Sequence, residues 1–207
     1  MEANPRAMTP TLTGDLIYAD ESSKKPSVPL KMKGKIEELK LLALCMATDN
    51  REAFSRLVEL HQEGLRRFLF NLSGDAMLTD DLAQETFLKA WLGIRSFKGL
   101  SGFRTWLYRI AVNEYVSWRR NRQAAMLGQA ADLTSLTSGE PSVSGTSDAG
   151  MDAQTLLATL KDTERMVTIL FYINDMSIKE ITKVTGMAEG TIKSHLSRAR
   201  RKMAAVK

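Results

Sequence analysis

One cysteine and two histidines in 207 residues leave little covalent or metal chemistry to build with. The lone thiol, Cys45, excludes an internal disulfide, and His61 and His195 stand too far apart to complete a four-ligand zinc cage. No cofactor and no metal site are expected. Long apolar runs are missing as well. Nothing approaches the roughly 20 residues of a membrane span, and residues 1–30, with Pro5, Pro10, Pro26 and Pro29 and no apolar block, do not read as a secretory signal. These absences predict a soluble protein of the cytoplasm. No glycine-rich phosphate loop follows a strand, and no nucleophile elbow is present. Asp80, Asp81 and Glu85 share the first turns of one predicted helix instead of converging on a cleft, and Lys89 is an i,i+4 partner for Glu85. An enzyme is not expected.

Proline is absent from 35–123 and from 151–207, and both blocks read as helical. The fifth proline, Pro141, sits in a Ser/Thr/Gly-rich stretch. Residues 1–34 have the composition of a disordered arm, within which Met32 offers an alternative start. The net charge of +5 is modest, but it is not spread evenly. Arg95, Lys98, Arg104, Arg109, Arg119, Arg120 and Arg122 face a single acid, Glu114, in the first block. At the chain's end Lys193, Arg198, Arg200, Arg201, Lys202 and Lys207 are opposed by Glu189 alone. Between these clusters, 124–150 holds Asp132, Glu140 and Asp148 and no Lys or Arg. Two cationic surfaces joined by an acidic tether favour a polyanionic partner over two merely solvated faces.

In the first block Phe54, Leu57, Val58, His61, Leu65, Phe68, Leu69 and Leu72 recur at steps of three and four, marking one face of a long helix. His61 on that stripe reads as a packed residue before a ligand. Asp49 and Glu52 form a candidate capping box ahead of it, and a shorter helix, 36–46, precedes. A third helix is predicted from Thr79, with Asp80 and Asp81 at its positive end, to about Ile94. A fourth runs from about Ser101 into the arginine cluster and buries Phe103, Trp106, Leu107, Ile110 and Ala111. In the second block Met151–Leu160 forms a short helix, and Asp162 caps another whose Met166, Ile169, Leu170 and Ile173 face inward. Ser177 and Glu180 make a capping box, Gly186 supplies a left-handed turn, and a helix from about Ala188 buries Ile192, Leu196, Ala199 and Met203. That is a helix-turn-helix, with Thr191, Ser194, Ser197, Arg198 and Arg201 on its outer face. The fold class is therefore all-α: two small helical domains, a four-helix bundle at 35–123 and a helix-turn-helix at 151–207, joined by a flexible linker at 124–150.

The stretch Asp80-Asp-Leu-Ala-Gln-Glu-Thr-Phe-Leu-Lys-Ala-Trp91, followed by Phe103-Arg-Thr-Trp-Leu-Tyr-Arg-Ile-Ala-Val-Asn113, resembles region 2 of the bacterial extracytoplasmic-function (group 4) sigma factors. Ser177 to Met203 resembles region 4 of the same family, in matching order and with no third domain between. The resemblance implies a dissociable subunit that binds core RNA polymerase, through the beta-prime coiled coil and the beta subunit, and recognises promoter DNA. It places Asp81, Gln84, Glu85, Lys89 and Trp91 at the beta-prime contact. It places Phe97, Ser101, Gly102, Phe103, Arg104, Asn113 and Ser117 on the melted minus-10 strand, with Arg109, Arg119, Arg120 and Arg122 holding the backbone. Thr191, Lys193, Ser194, Ser197, Arg198 and Arg201 become readers of the minus-35 duplex. Lys193 and His195 stand where relatives often carry arginine, and lysine is a point charge in place of a planar fork. In relatives the connecting segment threads the polymerase cleft, and an anti-sigma protein commonly holds the factor inactive. Two other classes compete with this reading. An autonomous helix-turn-helix regulator explains 151–207 but gives the third and fourth helices no task, and a sequestering protein keeps the architecture without opening DNA.

Overall fold

The computed structural model describes residues 30–129 and 148–205, and among them every regular element is helical. The predicted arm, 1–34, lies outside the described residues up to position 29, and its last five positions instead open a helix at Leu30; most of the predicted linker also lies outside the described residues. Its first positions instead continue a helix to Gln129, and Asp148 opens the next. No described helix is long and apolar enough to cross a membrane.

The first block consists of α1 (Leu30–Thr48), α2 (Arg51–Ser73), α3 (Ala76–Gly93), a 3-10 turn (Ile94–Ser96) and α4 (Phe103–Gln129). Two starts differ from the sequence expectation. Asn50, one residue after Asp49, caps α2 by accepting from the Ala53 N–H at 2.9 Å. Asp49 takes a left-handed φ of 50° in the α1–α2 turn and pairs with Arg95. Asp75 caps α3, its side chain accepting from the Leu78 N–H at 3.1 Å. Thr79 therefore lies inside the helix, with its hydroxyl donating to the Asp75 carbonyl at 2.7 Å, and Asp80 and Asp81 fall in the second turn, beyond the dipole's strongest field.

Apolar periodicity on α2 produces the expected core: Leu57, Leu65, Phe68 and Leu69 are fully enclosed, against Leu107, Tyr108, Ala111 and Val112 of α4. Ala83, Thr86 and Ala90 on α3 are small enough to let the neighbouring helices approach closely, and Thr86 satisfies its own hydroxyl on the Leu82 carbonyl at 2.6 Å. His61 is half-buried, with its ring 5.2 Å from Phe103 and Nε2 3.1 Å from Glu38 Oε1, which makes it a packing residue as its position on the stripe predicts.

The second block holds α5 (Asp148–Ala158), α6 (Asp162–Thr168), a π turn (Ile169–Ile173), α7 (Ile178–Thr185) and α8 (Glu189–Ala204). Lys161 rather than Asp162 is the N-cap of α6. Met166, Ile169 and Leu170 are buried as expected, but Ile173 is 41% exposed. The π turn is the cause: the Asn174 N–H reaches back five residues to the Ile169 carbonyl at 2.9 Å, which shifts the phase and turns Asn174 inward instead. The Ser177–Glu180 capping box is present with both arms, at 3.3 and 2.9 Å. Gly186 ends α7 at φ 75°.

The two blocks pack against each other, α7 on α4 and the π turn on α2. Asn174 sits at this seam. Its Nδ2 donates to Tyr108 Oη at 3.0 Å, and its carbonyl accepts from Arg104. Lys183 Nζ donates to the Leu100 carbonyl at 3.0 Å, Gln154 Nε2 to Asn71 Oδ1 at 2.8 Å, and Arg119 pairs with Asp162.

Candidate nucleic-acid interface

The loop before α4 and the exposed face of that helix form the first basic surface. Gly99 takes φ 67°, a left-handed turn that a side chain would strain, and Gly102 and Arg104 are exposed beyond it. Phe97 and Phe103 are only 7% and 2% exposed, a correction to their predicted base contact. They stack with each other and with half-buried Trp106 at centroid distances of 5.3 to 6.0 Å, so as folded they are the floor of the loop and not its stacking surface. Along α4, Asn113, Ser117 and Arg120 follow at steps of four and three, exposed and without side-chain hydrogen bonds among the described residues. They share a cleft with Thr163, Met166, Thr185 and Met187 of the second block. Arg109 and Arg122 are exposed, and Arg122 lies 5.3 Å above the ring of Trp118. Trp118 is half-buried and stacked on Tyr115, so its larger part is packing.

The outer face of α3 carries Asp81, Gln84, Glu85 and Lys89, as predicted. Lys89 is not free there, since it binds Glu114 of α4 at 2.6 Å and Glu85 at 3.3 Å. Trp91 is half-buried and meets Phe54 edge-on at 5.0 Å, so much of its ring belongs to the core. Two residues that the sequence reading passes over complete the face: Leu88 and Leu92 are 52% and 74% exposed.

On α8, Ile192, Leu196 and Ala199 are buried, while Thr191, Lys193, Ser194, Ser197, Arg198 and Arg201 are all exposed. The helix is braced from α6 by Glu164. Its carboxylate accepts from Lys202 Nζ at 2.7 Å and lies 3.3 Å from Arg198 Nε and from the Lys161 N–H. The Lys202 hydrogen bond is the main cause that lowers the Glu164 pKa from its ordinary 4.5, against the opposing effect of burial. Glu164 is therefore stabilising above pH 4.5, and that contribution is lost as pH falls through the depressed value. Lys161, Arg198, Lys202 and His195 line the same cleft as Glu164. Glu164→Gln should cost about 1–3 kcal/mol at pH 7. In thermal unfolding the gap between the two proteins should narrow as pH falls below 4.5, and a gap independent of pH would contradict the assignment.

Comparison with known proteins agrees with this geometry. The Sigma-70 region 2 model matches residues 57–125 and the Sigma-70, region 4 model matches 151–203. RNA polymerase sigma factor YlaC of Bacillus subtilis is 32% identical over 156 residues, covering 73% of this chain and 90% of that protein. The chain belongs to the extracytoplasmic-function group of the sigma-70 family. The ECF sigma factor SigC of Mycobacterium tuberculosis is 33% identical over 79% of this chain and 88% of its own length. Among solved structures, RpoE of Bartonella quintana in complex with the anti-sigma factor NepR aligns with a TM-score of 0.61 at 31% identity, over 72% of this chain and 93% of that one. CnrH in complex with the cytosolic domain of CnrY aligns with the same TM-score at 27% identity, over 82% and 96%.

This sigma factor thus serves transcription initiation, with its region 2 in the first block and its region 4 in the second. Its region 4 lies over the cleft that holds Asn113, Ser117 and Arg120, while the outward face of its α8 and the outer face of its α3 are left uncovered.

Proposed function

We propose that this sigma factor works in the bacterial cytoplasm, docks on core RNA polymerase through the outer face of α3, reads the minus-35 duplex with α8, and traps the melted minus-10 strand on α4. Opening DNA costs roughly a few kcal/mol per unstacked base, so the displaced strand has to be captured by stacking, hydrogen bonding and charge together. The observation that carries the reading is the division of exposed chemistry between helices. α4 presents Asn113, Ser117, Arg109 and Arg120 without side-chain partners among the described residues, α8 presents small polar and basic residues, and α3 presents acids beside two bare leucines.

In the arrangement described, Asn174 and Lys183 hold the minus-10 loop, so strand capture requires the second block to swing away from α4. Docking on polymerase supplies the opportunity. The relatives RpoE and CnrH have been seen with NepR and CnrY, which supports an anti-sigma partner for this chain as well. Residues 130–147, with Asp132 and Glu140 and no Lys or Arg, suit a tether between two readers that are each weak alone. Run-off transcription tests the reading. Core polymerase should initiate at a cognate promoter only when the protein is added. Duplex binding without transcription would instead indicate an autonomous regulator, and polymerase binding without opening would indicate a sequestering protein.

A further inference from the structure

Glu164 is the one buried acid among the described residues, at 3% exposure, and it lies beneath a helix that the Proposed function assigns to DNA. Its Oε1 is ion-paired with Arg198 Nε at 3.3 Å, while its Oε2 accepts from Lys202 Nζ at 2.7 Å. Arg198 is held a second time, with Nη2 2.9 Å from His195 Nδ1. Burial first, and the Arg198 charge second, lower the His195 pKa, so the ring is neutral near pH 7 and Nδ1 is free to accept. Two of the three guanidinium nitrogens are therefore anchored inside region 4. Nη1 has no protein partner among the described residues, and the side chain is 47% exposed.

We propose that Glu164 is a positioning residue for base reading by Arg198: it fixes the guanidinium plane so that Nη1 and the remaining N–H of Nη2 meet a guanine in the minus-35 major groove. The proposal rests on the assignment of α8 as the duplex reader. An arginine on a helix surface samples many rotamers, and a two-pronged contact with guanine O6 and N7 accepts only a narrow range of plane orientations. A carboxylate below and an imidazole beside the fork settle that orientation during folding rather than on DNA. Lys193, a point charge with no fixed plane, does not offer the same discrimination. Glu164 itself is enclosed and does not touch DNA.

The test uses holoenzyme, assembled from core polymerase and full-length protein, with promoters randomised across the minus-35 duplex and sequenced after open-complex capture. Wild type should prefer guanine at one position, and Arg198→Lys should erase that preference. Glu164→Gln should weaken the same preference about tenfold, leave the other positions unchanged, and add nothing in the Arg198→Lys background. Glu164→Asp, which keeps the charge but shortens the reach, should reproduce the loss and covers the case in which the glutamine variant is unstable. Lys202→Ala leaves the Glu164–Arg198 contact in place and should retain the preference. The positioning role is overturned if Glu164 variants weaken binding equally for all sequences, or if Lys202→Ala behaves as they do. It is also overturned if Arg198→Lys leaves the guanine preference intact. A wild-type holoenzyme with no minus-35 preference would instead remove the underlying assignment of α8.

Discussion

Asp81→Lys combined with Leu92→Asp should lower affinity for core polymerase by about a thousandfold and leave thermal unfolding unchanged. Asp81 is exposed and makes no ion pair among the described residues, and Leu92 is 74% exposed, so neither change touches the core. The size follows from two central contacts worth about 2 kcal/mol each, with every 1.4 kcal/mol a factor of ten. Bare leucines beside acids are the composition of a docking patch: the apolar area supplies affinity, and the charges supply register. Glu85 is the poorer choice for such a variant because reversing it also disturbs Lys89, which ties α3 to Glu114 of α4. Titration of core polymerase into labelled protein provides the measurement, and undiminished affinity removes α3 from the interface.

Asn113→Ala should weaken capture of the melted minus-10 strand about tenfold or more and leave minus-35 duplex binding unchanged. An amide offers both a donor and an acceptor to a base edge, and a matched pair of such bonds is worth about 1–3 kcal/mol of discrimination. Asn113 is exposed and bonds to nothing within the described residues, and alanine is the better helix former, so the loss cannot come from unfolding. The comparison is made with holoenzyme on two labelled DNAs, a single-stranded minus-10 oligonucleotide and a minus-35 duplex. Equal losses on both would mean that the reader has been misplaced.

Local chemistry made much of this legible. The Ser177–Glu180 box, Gly186 and the buried stripes of α2 and α8 each depend on residues within a turn or two of one another, and each reads correctly. The start of α3 is misread because Thr79-Asp80-Asp81 gives a strong cap signal, although Asp75, beside Gly74, is the residue that caps. Composition alone also ended α4 too early. Ala124, Ala125 and Met126 are good helix formers with no stop after Arg122, and the helix continues to Gln129.

The candidate sites were harder to read. Phe87 and Trp91, and equally Leu88 and Leu92, are spaced to share a face, and periodicity does not say which pair turns outward. The structure exposes the leucines. The resemblance places Phe97 and Phe103 on the melted strand, whereas periodicity buries Phe103, and in the structure the two rings pack on each other. The contacts of Arg104 and Tyr108 with Asn174 span some seventy positions along the chain, and no local pattern encodes such a pairing.

That seam has a thermodynamic consequence. If α4 captures the melted strand as proposed, region 4 and that strand are competing ligands of one helix, and competition is reciprocal. Whatever pulls region 4 off strengthens strand capture, and a captured strand in turn keeps region 4 from returning. Because the outward side of α8 stays uncovered in this arrangement, duplex engagement is expected to precede melting under the proposed function.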